Sequence, residues 1–156
     1  QKQAQEVGTW LASKNIKLIY GGATIGVMGS IADAALVAGG HVEGVIPLSL
    51  VNNEVAHYRV SKLHIVDTMH ARKKMMYDLS DAFLVLPGGI GTLDEMFEII
   101  TWAQLKFHSK PIYILNDLGF FDNLLKHIQL AVSEGFVKED HLKLFKEIKS
   151  IEMILS

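Results

Sequence analysis

Leu86-Pro87-Gly88-Gly89-Ile90-Gly91-Thr92-Leu93-Asp94-Glu95 is the stretch around which this chain is organised. The apolar run before the turn, residues 82–86, predicts a buried strand, and the apolar spacing after it predicts an amphipathic helix over about residues 93–107. A glycine-rich turn between a strand and a helix gathers backbone N–H groups around one point, where the helix dipole adds partial positive charge. The stretch therefore predicts a site for an anion, most simply a phosphate.

Two familiar glycine motifs do not explain this turn. A Walker A loop requires a Gly-Lys-Ser/Thr sequence, which does not follow here, and Gly89-x-Gly91 lacks the third glycine of a dinucleotide fingerprint. Redox chemistry with a dinucleotide is therefore a weak interpretation. The glycines still matter, because they let the backbone approach a ligand without a Cβ atom in the way.

Glu95 has two interpretations that the residues alone leave open. Thr92-x-x-Glu95 matches a capping box, in which the Thr92 side chain accepts from the Glu95 amide and the Glu95 carboxylate reaches back to the N-cap amide. Against this, a helix start that holds a phosphate is a poor place for Asp94 and Glu95 unless one carboxylate has a separate role. One turn from a bound phosphate, such a carboxylate would reach the sugar of a nucleotide.

Pro87-Gly88-Gly89-x-Gly91-Thr92-x-x-Glu95, preceded by Met69-His70-x-Arg72-Lys73, resembles the signature of the Lonely guy family. These cytokinin-activating enzymes are nucleoside 5′-monophosphate phosphoribohydrolases that are often labelled lysine decarboxylases. Further matching segments occur in the family's order along almost the whole chain: Tyr20-Gly21-Gly22, Gly26-Val27-Met28-Gly29, residues 32–36, residues 44–47, Thr101-Trp102-x-Gln104-Leu105, Lys110-Pro111 and Gly135-Phe136.

The resemblance implies an activity and a set of site residues. The expected reaction is hydrolysis of the N-glycosidic bond of adenosine monophosphate or an N6-modified relative, which releases the free base and ribose 5-phosphate. Arg72 and Glu95 would be the catalytic pair, and Gly89, Gly91 and Thr92 would bind the 5′-phosphate. The other implied substrate-binding positions are Gly21, Gly22, Glu54, Lys73, Gly88, Ile90, Leu93, Asp94 and Thr101.

This chemistry requires neither a metal ion nor a cofactor. A carboxylate beside the ribose can stabilise an oxocarbenium-like transition state or activate water. The seven histidines show no HExxH or other metal-binding spacing. Lysine decarboxylation is less credible, because no lysine lies in a recognisable pyridoxal phosphate motif.

Several of the implied positions also have ordinary structural explanations. The glycines of the second strand-to-helix turn, residues 21–29, suit close helix–strand packing as well as a ligand. Glu54 lies in a polar loop, where a glutamate is usually solvated. Arg72 and Lys73 form either a solvated basic face with Lys74 or a nucleotide clamp in which Arg72 supplies rigid planar donors.

The composition is that of one compact globular domain. The chain has 156 residues, of which 49% are hydrophobic and 21% are charged, and its formal net charge is −2. This charge argues against nucleic acid as a partner held by bulk electrostatics. There are no cysteines, which excludes disulfides and thiolate metal sites. No apolar run reaches the ~18 residues of a membrane helix, so we expect no membrane partner and a cytoplasmic protein.

Strand and helix patterns alternate along the chain, which predicts the α/β class with a parallel sheet covered by helices on both faces. We expect a Rossmann-like doubly wound fold and a single nucleotide-binding domain over residues 1–156. Strands are predicted at residues 17–20, 42–47, 63–66 and 112–115, with a short strand and a final helical turn within 144–155. Thr68 and Asp122 are predicted N-caps. Family members begin with a strand that is not found here, so we expect a longer native chain.

The long helix after the central turn also predicts a self-association surface. Met96, Ile99, Ile100 and Ala103 form its expected buried stripe, whereas Trp102 is expected to be exposed beside Gln104 and Leu105. An exposed tryptophan favours a partner surface or a base-stacking wall, and the family resemblance implies a homodimer. The competing functional class is a nucleotide-binding or carrier protein without turnover.

Overall fold

The computed structural model describes residues 2–52 and 55–155 of the chain. Two compact units are present, Gln1–Ser80 and Asp81–Ser156, called here the N-terminal and C-terminal units. Each unit holds three parallel strands and its own helices. No helix within the described ranges is long and apolar enough to cross a membrane.

The N-terminal unit is a three-stranded parallel sheet covered by helices. Its strands pair in the order β1-β2-β3, with Leu18 opposite Val42 and Gly44 opposite Leu63. Helix α2 packs on β1 and β2, α3 packs on all three strands, and α1 packs on α2. The elements are α1 Lys2–Ser13, β1 Leu18–Tyr20, α2 Gly26–Val37, β2 Val42–Pro47, β3 Lys62–Val66 and α3 Met69–Leu79.

The central strand β2 carries the core of this unit. All six of its residues are buried, as expected for a parallel strand covered on both faces. Val42 packs with Tyr20 of β1, with Val60, and with Ala32 and Ala35 of α2. The alanines let α2 lie close to the sheet, because they occupy little space between helix and strands.

The C-terminal unit repeats the plan with strands in the order β4-β5-β6, again all parallel. Met96 and Ala103 of its long helix pack with Val85, Ile112 and Phe121, and Ile99 and Ile100 flank this core. The predicted buried stripe is therefore confirmed. The elements are β4 Phe83–Val85, α4 Ile90–Gln104, β5 Ile112–Leu115, α5 Asp122–Ser133 and β6 Lys146–Ile148.

The predicted α/β class with parallel strands flanked by helices is confirmed. The strand predicted at 42–47 and the strand and helical turn of the tail are confirmed, the latter as β6 and the 3₁₀ turn Ile151–Ile154. Thr68 is the N-cap of α3, since its hydroxyl accepts from the Ala71 amide at 3.0 Å. Asp122 is not an N-cap, because Phe121 occupies that position and Asp122 is the first helical residue.

The start of α4 and the exposure of Trp102 were predicted wrongly. Helix α4 begins at Ile90 rather than near residue 93 and ends at Gln104, before the expected 107. Trp102 is half-buried, whereas Gln104 and Leu105 are exposed as predicted.

A buried carboxylate ties the N-terminal edge of the first sheet together. Glu43 of β2 is 7% exposed, and its oxygens accept from His64 Nε2 at 2.8 Å, Lys17 Nζ at 3.1 Å and His41 Nε2 at 3.2 Å. Hydrogen bonding to His64 is the largest cause that lowers the pKa of Glu43, to about 2, and it outweighs the opposing effect of burial. The carboxylate is thus ionised over the whole physiological range, and it bridges β3 to the chain before β1.

We expect Glu43→Gln to lower the free energy of unfolding at pH 7 by about 1–3 kcal/mol, since charge-assisted hydrogen bonds are lost. Because folding lowers the pKa of Glu43 from 4.5 to about 2, its ionised form stabilises the fold above pH 4.5, and this stability is lost as pH falls through about 2. Urea unfolding at pH 7 and at pH 2.5 should therefore show a difference between parent and variant that is much smaller in acid.

The matched control is Asp140→Asn, which removes an exposed carboxylate; in its ion pair the side chain of Lys143 is 80% exposed and that of Asp140 is 83% exposed. Its effect on stability should be small at both pH values, because solvent screens an exposed ion pair. A Glu43→Gln penalty of equal size at pH 7 and pH 2.5 would contradict this account of Glu43.

Candidate active site

The glycine turn before α4 presents the amides of the first helical turn. Gly89 is the N-cap with an extended backbone and no side-chain capping bond, and the Leu93 amide donates to its carbonyl at 3.2 Å. The amides from Gly89 to Thr92 precede the first intrahelical bond, so helix geometry gives them no carbonyl one turn earlier. Gly89, Ile90 and Gly91 are exposed, and the helix dipole places partial positive charge there.

Gly88 fixes the direction from which the chain enters this helix. A Cβ atom at Gly88 would collide with the hydroxyl and the Cβ of Thr92, whereas Cβ atoms at Gly89 and Gly91 would meet nothing within 4 Å. Gly88 is therefore required by close packing inside the turn. The other two glycines leave open space beside the amides, which an anion needs.

The capping-box interpretation of Glu95 is wrong. With Gly89 as N-cap, Thr92 is the third helical residue rather than the cap, and Glu95 lies a full turn beyond the position that a capping glutamate occupies. Residues three and four apart share a helix face, so Glu95 lies on the same face as Gly91 and Thr92, one turn later. A half-buried carboxylate thus follows the exposed amides on one side of α4.

The remaining predicted residues of α4 are distributed over other faces. Leu93 packs against the core of the C-terminal unit, and its amide is already bonded to Gly89. Asp94 and Thr101 are exposed, seven residues apart on one face. The first turn with Glu95 is therefore the part of this helix whose geometry best fits a phosphate and its attached sugar.

Arg72 is not part of a solvated basic face. It is 5% exposed, its Nε donates to the Val45 carbonyl at 3.1 Å and its Nη2 donates to the Gly21 carbonyl at 2.6 Å. Lys74, in contrast, is exposed and pairs with Asp78 one turn later at 2.6 Å, and Lys73 is half-buried. Two backbone carbonyls thus fix the plane of a buried guanidinium, and its Nη1 also donates to Met69 Sδ at 3.9 Å.

The second glycine turn provides one of those carbonyls. Gly21 and Gly22 directly follow β1 and are buried, and Gly22 has a φ of +77°, which an L-residue rarely adopts. A Cβ atom at Gly21 would overlap Arg72 Nη2. Gly21 therefore packs closely against the Arg72 guanidinium.

Tyr20 and His57 belong to the surroundings of Arg72, although the sequence analysis assigned them no role. Their rings meet edge to face, and Tyr20 Oη lies 2.9 Å from His57 Nδ1. No local signal identifies this pair, because it joins positions 37 residues apart.

Other features of the described residues do not add to this site. Glu54 lies outside the described residues, so its predicted role stays a prediction. Across 2–52 and 55–155, no cluster of three or more histidine, aspartate or glutamate side chains is placed to hold a metal ion. A groove of about 550 Å³ runs between α1 and α2, and none of the predicted site residues lines it.

Comparison with known proteins identifies relatives over most of the chain. Residues 28–156 match a family described as possible lysine decarboxylase. A cytokinin riboside 5′-monophosphate phosphoribohydrolase of Rhodococcoides fascians is 47% identical over 135 residues, which are 86% of this chain and 68% of that protein. The enzyme of that name called LOG in Oryza sativa subsp. japonica is 49% identical, over 90% of this chain and 58% of its own length. LOG1 of Arabidopsis thaliana, which bears the same enzyme name, is 50% identical over 86% of this chain and 63% of its own length.

Two of these three relatives are thus covered over less than two thirds of their length. Among solved structures, the molybdenum cofactor binding protein from Rippkaea orientalis has a TM-score of 0.72 at 23% identity, covering 99% of this chain and 87% of that one. The molybdenum cofactor carrier protein from Chlamydomonas reinhardtii has a TM-score of 0.69 at 20% identity, with coverages of 99% and 82%. At such identities the likeness concerns the fold.

Gly88→Ala should lower the free energy of unfolding by about 1–3 kcal/mol, because the added methyl group collides with Thr92 and the turn must shift. Gly91→Ala is the matched control. Its methyl group meets nothing within 4 Å, and alanine is favoured over glycine inside a helix by up to about 1 kcal/mol. Thermal or urea unfolding of the two variants should therefore give shifts of opposite sign, and equal stability would contradict the packing described for Gly88.

Proposed function

This chain belongs to the possible lysine decarboxylase family, and we propose that it hydrolyses the N-glycosidic bond of a nucleoside 5′-monophosphate. The substrate is adenosine monophosphate or an N6-modified relative of the cytokinin type, and the products are the free base and ribose 5-phosphate. The names of relatives at 47–50% identity support this reaction. The structural observation that carries the proposal is the N-cap at Gly89, which excludes a capping role for Glu95 and leaves it one turn after exposed amides.

The phosphate is bound by the first turn of α4. Backbone amides at a helix N-terminus suit a phosphate dianion, because N–H groups and dipole act together. In this proposal the amides of Gly89, Ile90, Gly91 and Thr92 contact phosphate oxygens, and Gly88 holds the turn in shape. The contributions of Leu93, Asp94 and Thr101 remain predictions from the resemblance.

Glu95 acts at the ribose. Cleavage of the bond between C1′ and the base develops positive charge on the sugar, and water supplies the oxygen that ends on C1′ while the base takes up a proton. A carboxylate beside the sugar stabilises this oxocarbenium-like state or removes the proton of the attacking water. Neither action requires a metal ion or a cofactor, and we propose none.

Arg72 binds the nucleotide with a guanidinium whose plane is set in advance. The bonds to the Gly21 and Val45 carbonyls reduce the freedom that Arg72 would lose on binding. Lys73, Gly22 and Glu54 complete the proposed set of substrate-binding residues. Because the Arg72 guanidinium would contact the nucleotide in the ground state as well as in the transition state, it contributes to binding and to turnover.

The alternative is a nucleotide-binding or carrier protein of the same fold. The solved structures similar to this chain include a molybdenum cofactor binding protein and a molybdenum cofactor carrier protein. At sequence identities of 20–23%, this similarity is evidence for the fold alone. The phosphoribohydrolase relatives are more than twice as similar in sequence. We therefore favour turnover, with residues 1–156 as one nucleotide-binding domain and the cytoplasm as its location.

We further propose a homodimer formed through the exposed surface at the end of α4, where Gln104 and the C-cap residue Leu105 lie. Isologous pairing of this surface would cover apolar side chains such as Leu105, which is 54% exposed. Analytical ultracentrifugation at micromolar concentration should show a dimer, and Leu105→Glu should shift it towards monomer. A purely monomeric parent chain would refute this assembly.

The 5′-phosphate should be obligatory for turnover. Adenosine lacks the group that the α4 amides bind, and each charge-assisted hydrogen bond lost removes about 1.5–3 kcal/mol. The value of kcat/KM for adenosine should therefore fall roughly 10²-fold or more below that for adenosine monophosphate when base release is followed by chromatography. Similar values for the two substrates would show that this turn does not bind the phosphate.

Glu95→Gln should lower kcat by roughly 10²–10⁴ with substrate binding retained, because the negative charge disappears where positive charge develops on the sugar. Single-turnover kinetics together with equilibrium binding of adenosine monophosphate would separate the two effects. Glu134→Gln, an exposed C-cap residue of α5, is the control for loss of one carboxylate. A folded Glu95→Gln protein that releases base within about threefold of the parent rate would remove Glu95 from the mechanism.

A further inference from the structure

The glycine turn that carries the Gly21 carbonyl is held by a second segment, residues 55–57. The Gly22 carbonyl accepts from the His57 amide at 2.8 Å, and the Val55 carbonyl accepts from the Thr24 amide at 3.1 Å and from its hydroxyl at 2.8 Å. Ala23 and Ala56 form an antiparallel bridge between these bonds. The turn after β1 is therefore clamped by backbone pairing rather than left as a loop.

A buried side-chain hydrogen bond also links residues 55–57 to the end of β1. His57 is 1% exposed and Tyr20 is 5% exposed, and Tyr20 Oη lies 2.9 Å from His57 Nδ1. Tyr20 directly precedes Gly21, so His57 makes two hydrogen bonds to the turn, one from its amide to the Gly22 carbonyl and one between its ring and Tyr20. A small change in this pair would displace the carbonyl that Arg72 Nη2 contacts.

The charges around His57 define which atom carries the proton. Nε2 has no hydrogen-bond partner within the described part of the chain, and its nearest charged neighbour is Asp33 Oδ1 at 3.4 Å, which also pairs with Arg59 Nη2 at 2.9 Å. A proton on Nε2 faces this carboxylate favourably, whereas a bare lone pair there would be repelled. Nδ1 is then the acceptor and the Tyr20 hydroxyl donates to it.

The protonation tendencies of both groups agree with this assignment. Burial lowers the pKa of His57, more strongly than Asp33 raises it, so the ring is neutral at pH 7. Burial also raises the pKa of Tyr20, and Asp33 adds to that effect, so the hydroxyl keeps its proton and remains a donor.

We propose that Tyr20 and His57 are positioning residues for Arg72: their hydrogen bond holds the turn at Gly21 and Gly22 so that the Gly21 carbonyl fixes the guanidinium. The inference rests on the proposed function only in giving Arg72 a substrate to bind. A buried hydrogen bond of this kind is not required for packing alone, because an apolar pair of the same shape serves stability about equally well. Positional control of Arg72 explains why a polar pair occupies this site.

The arginine side chains offer a direct readout. The chain contains two arginines, Arg59 and Arg72, so the ¹H–¹⁵N correlation spectrum of arginine Nε–Hε groups should hold two signals. The side chain of Arg59 is 76% exposed and its Hε exchanges rapidly with water. Arg72 Hε is buried and bonded to Val45, so its signal should be sharp, shifted and slow to exchange.

The test compares Tyr20→Phe with Tyr58→Phe. Tyr58 adjoins His57 in sequence and is 70% exposed, so its hydroxyl should not matter. In Tyr20→Phe the Arg72 Hε signal should shift and its exchange rate should rise at least tenfold relative to the backbone amides of β2. If the Tyr20 hydroxyl only stabilised the fold, the exchange rates of Arg72 Hε and of the β2 amides would rise in parallel, since global opening exposes both kinds of group together.

A double variant, Tyr20→Phe with His57→Phe, guards against unfolding caused by an unsatisfied His57. Replacing both partners by apolar rings avoids the cost of leaving one polar group unpaired. Arg72 Hε should again exchange at least tenfold faster, and kcat/KM for adenosine monophosphate should fall roughly tenfold. Arg72 Hε exchange within twofold of the parent, relative to β2, in the folded variant would overturn the proposal. If the parent releases no base, the proposed function fails, while the Hε signal still decides the positioning role.

Discussion

The hydrogen bonds of Arg72 to the Gly21 and Val45 carbonyls are the constraint on which the N-terminal unit depends. A buried guanidinium is tolerated only when its donors are matched, and here the acceptors come from the turn after β1 and from β2. That requirement accounts for the missing side chain at Gly21, and it is consistent with the second segment that holds the glycine turn. In the proposed function, the same bonds also fix where the guanidinium meets the nucleotide.

The C-terminal unit presents the backbone amides at the start of α4 beside the carboxylate of Glu95. Its core of Met96, Ala103, Val85, Ile112 and Phe121 orients α4, and Gly88 sets the entry of the chain so that the helix begins at Ile90. A helix start is attractive for a phosphate because the amides and the dipole favour negative charge. Glu95 is then a charge placed one turn inside the helix, beyond the capping position, and the proposed function gives it a role at the ribose.

Much of this arrangement was predictable from sequence, because hydrophobic period and cap residues are local signals. The strand at 42–47, the buried stripe of α4 and the Thr68 cap followed from such signals and are confirmed. The start of α4 was not predictable in this way. Thr92 and Glu95 match a capping box by residue type, but the N-cap is Gly89, which has no side chain to signal it. Arg72 looked equally suited to a solvated face, since its two acceptors lie 27 and 51 residues away. The bond from Tyr20 to His57 is likewise long-range and carries no sequence pattern.

The central claim is that this chain breaks the bond between base and ribose rather than merely holding a nucleotide. The most direct test is to incubate the purified chain with adenosine monophosphate and separate the products by chromatography, with Glu95→Gln alongside. The account predicts equal amounts of adenine and ribose 5-phosphate from the parent chain and almost none from the variant. Adenosine monophosphate recovered intact, or adenosine with inorganic phosphate as products, would contradict it.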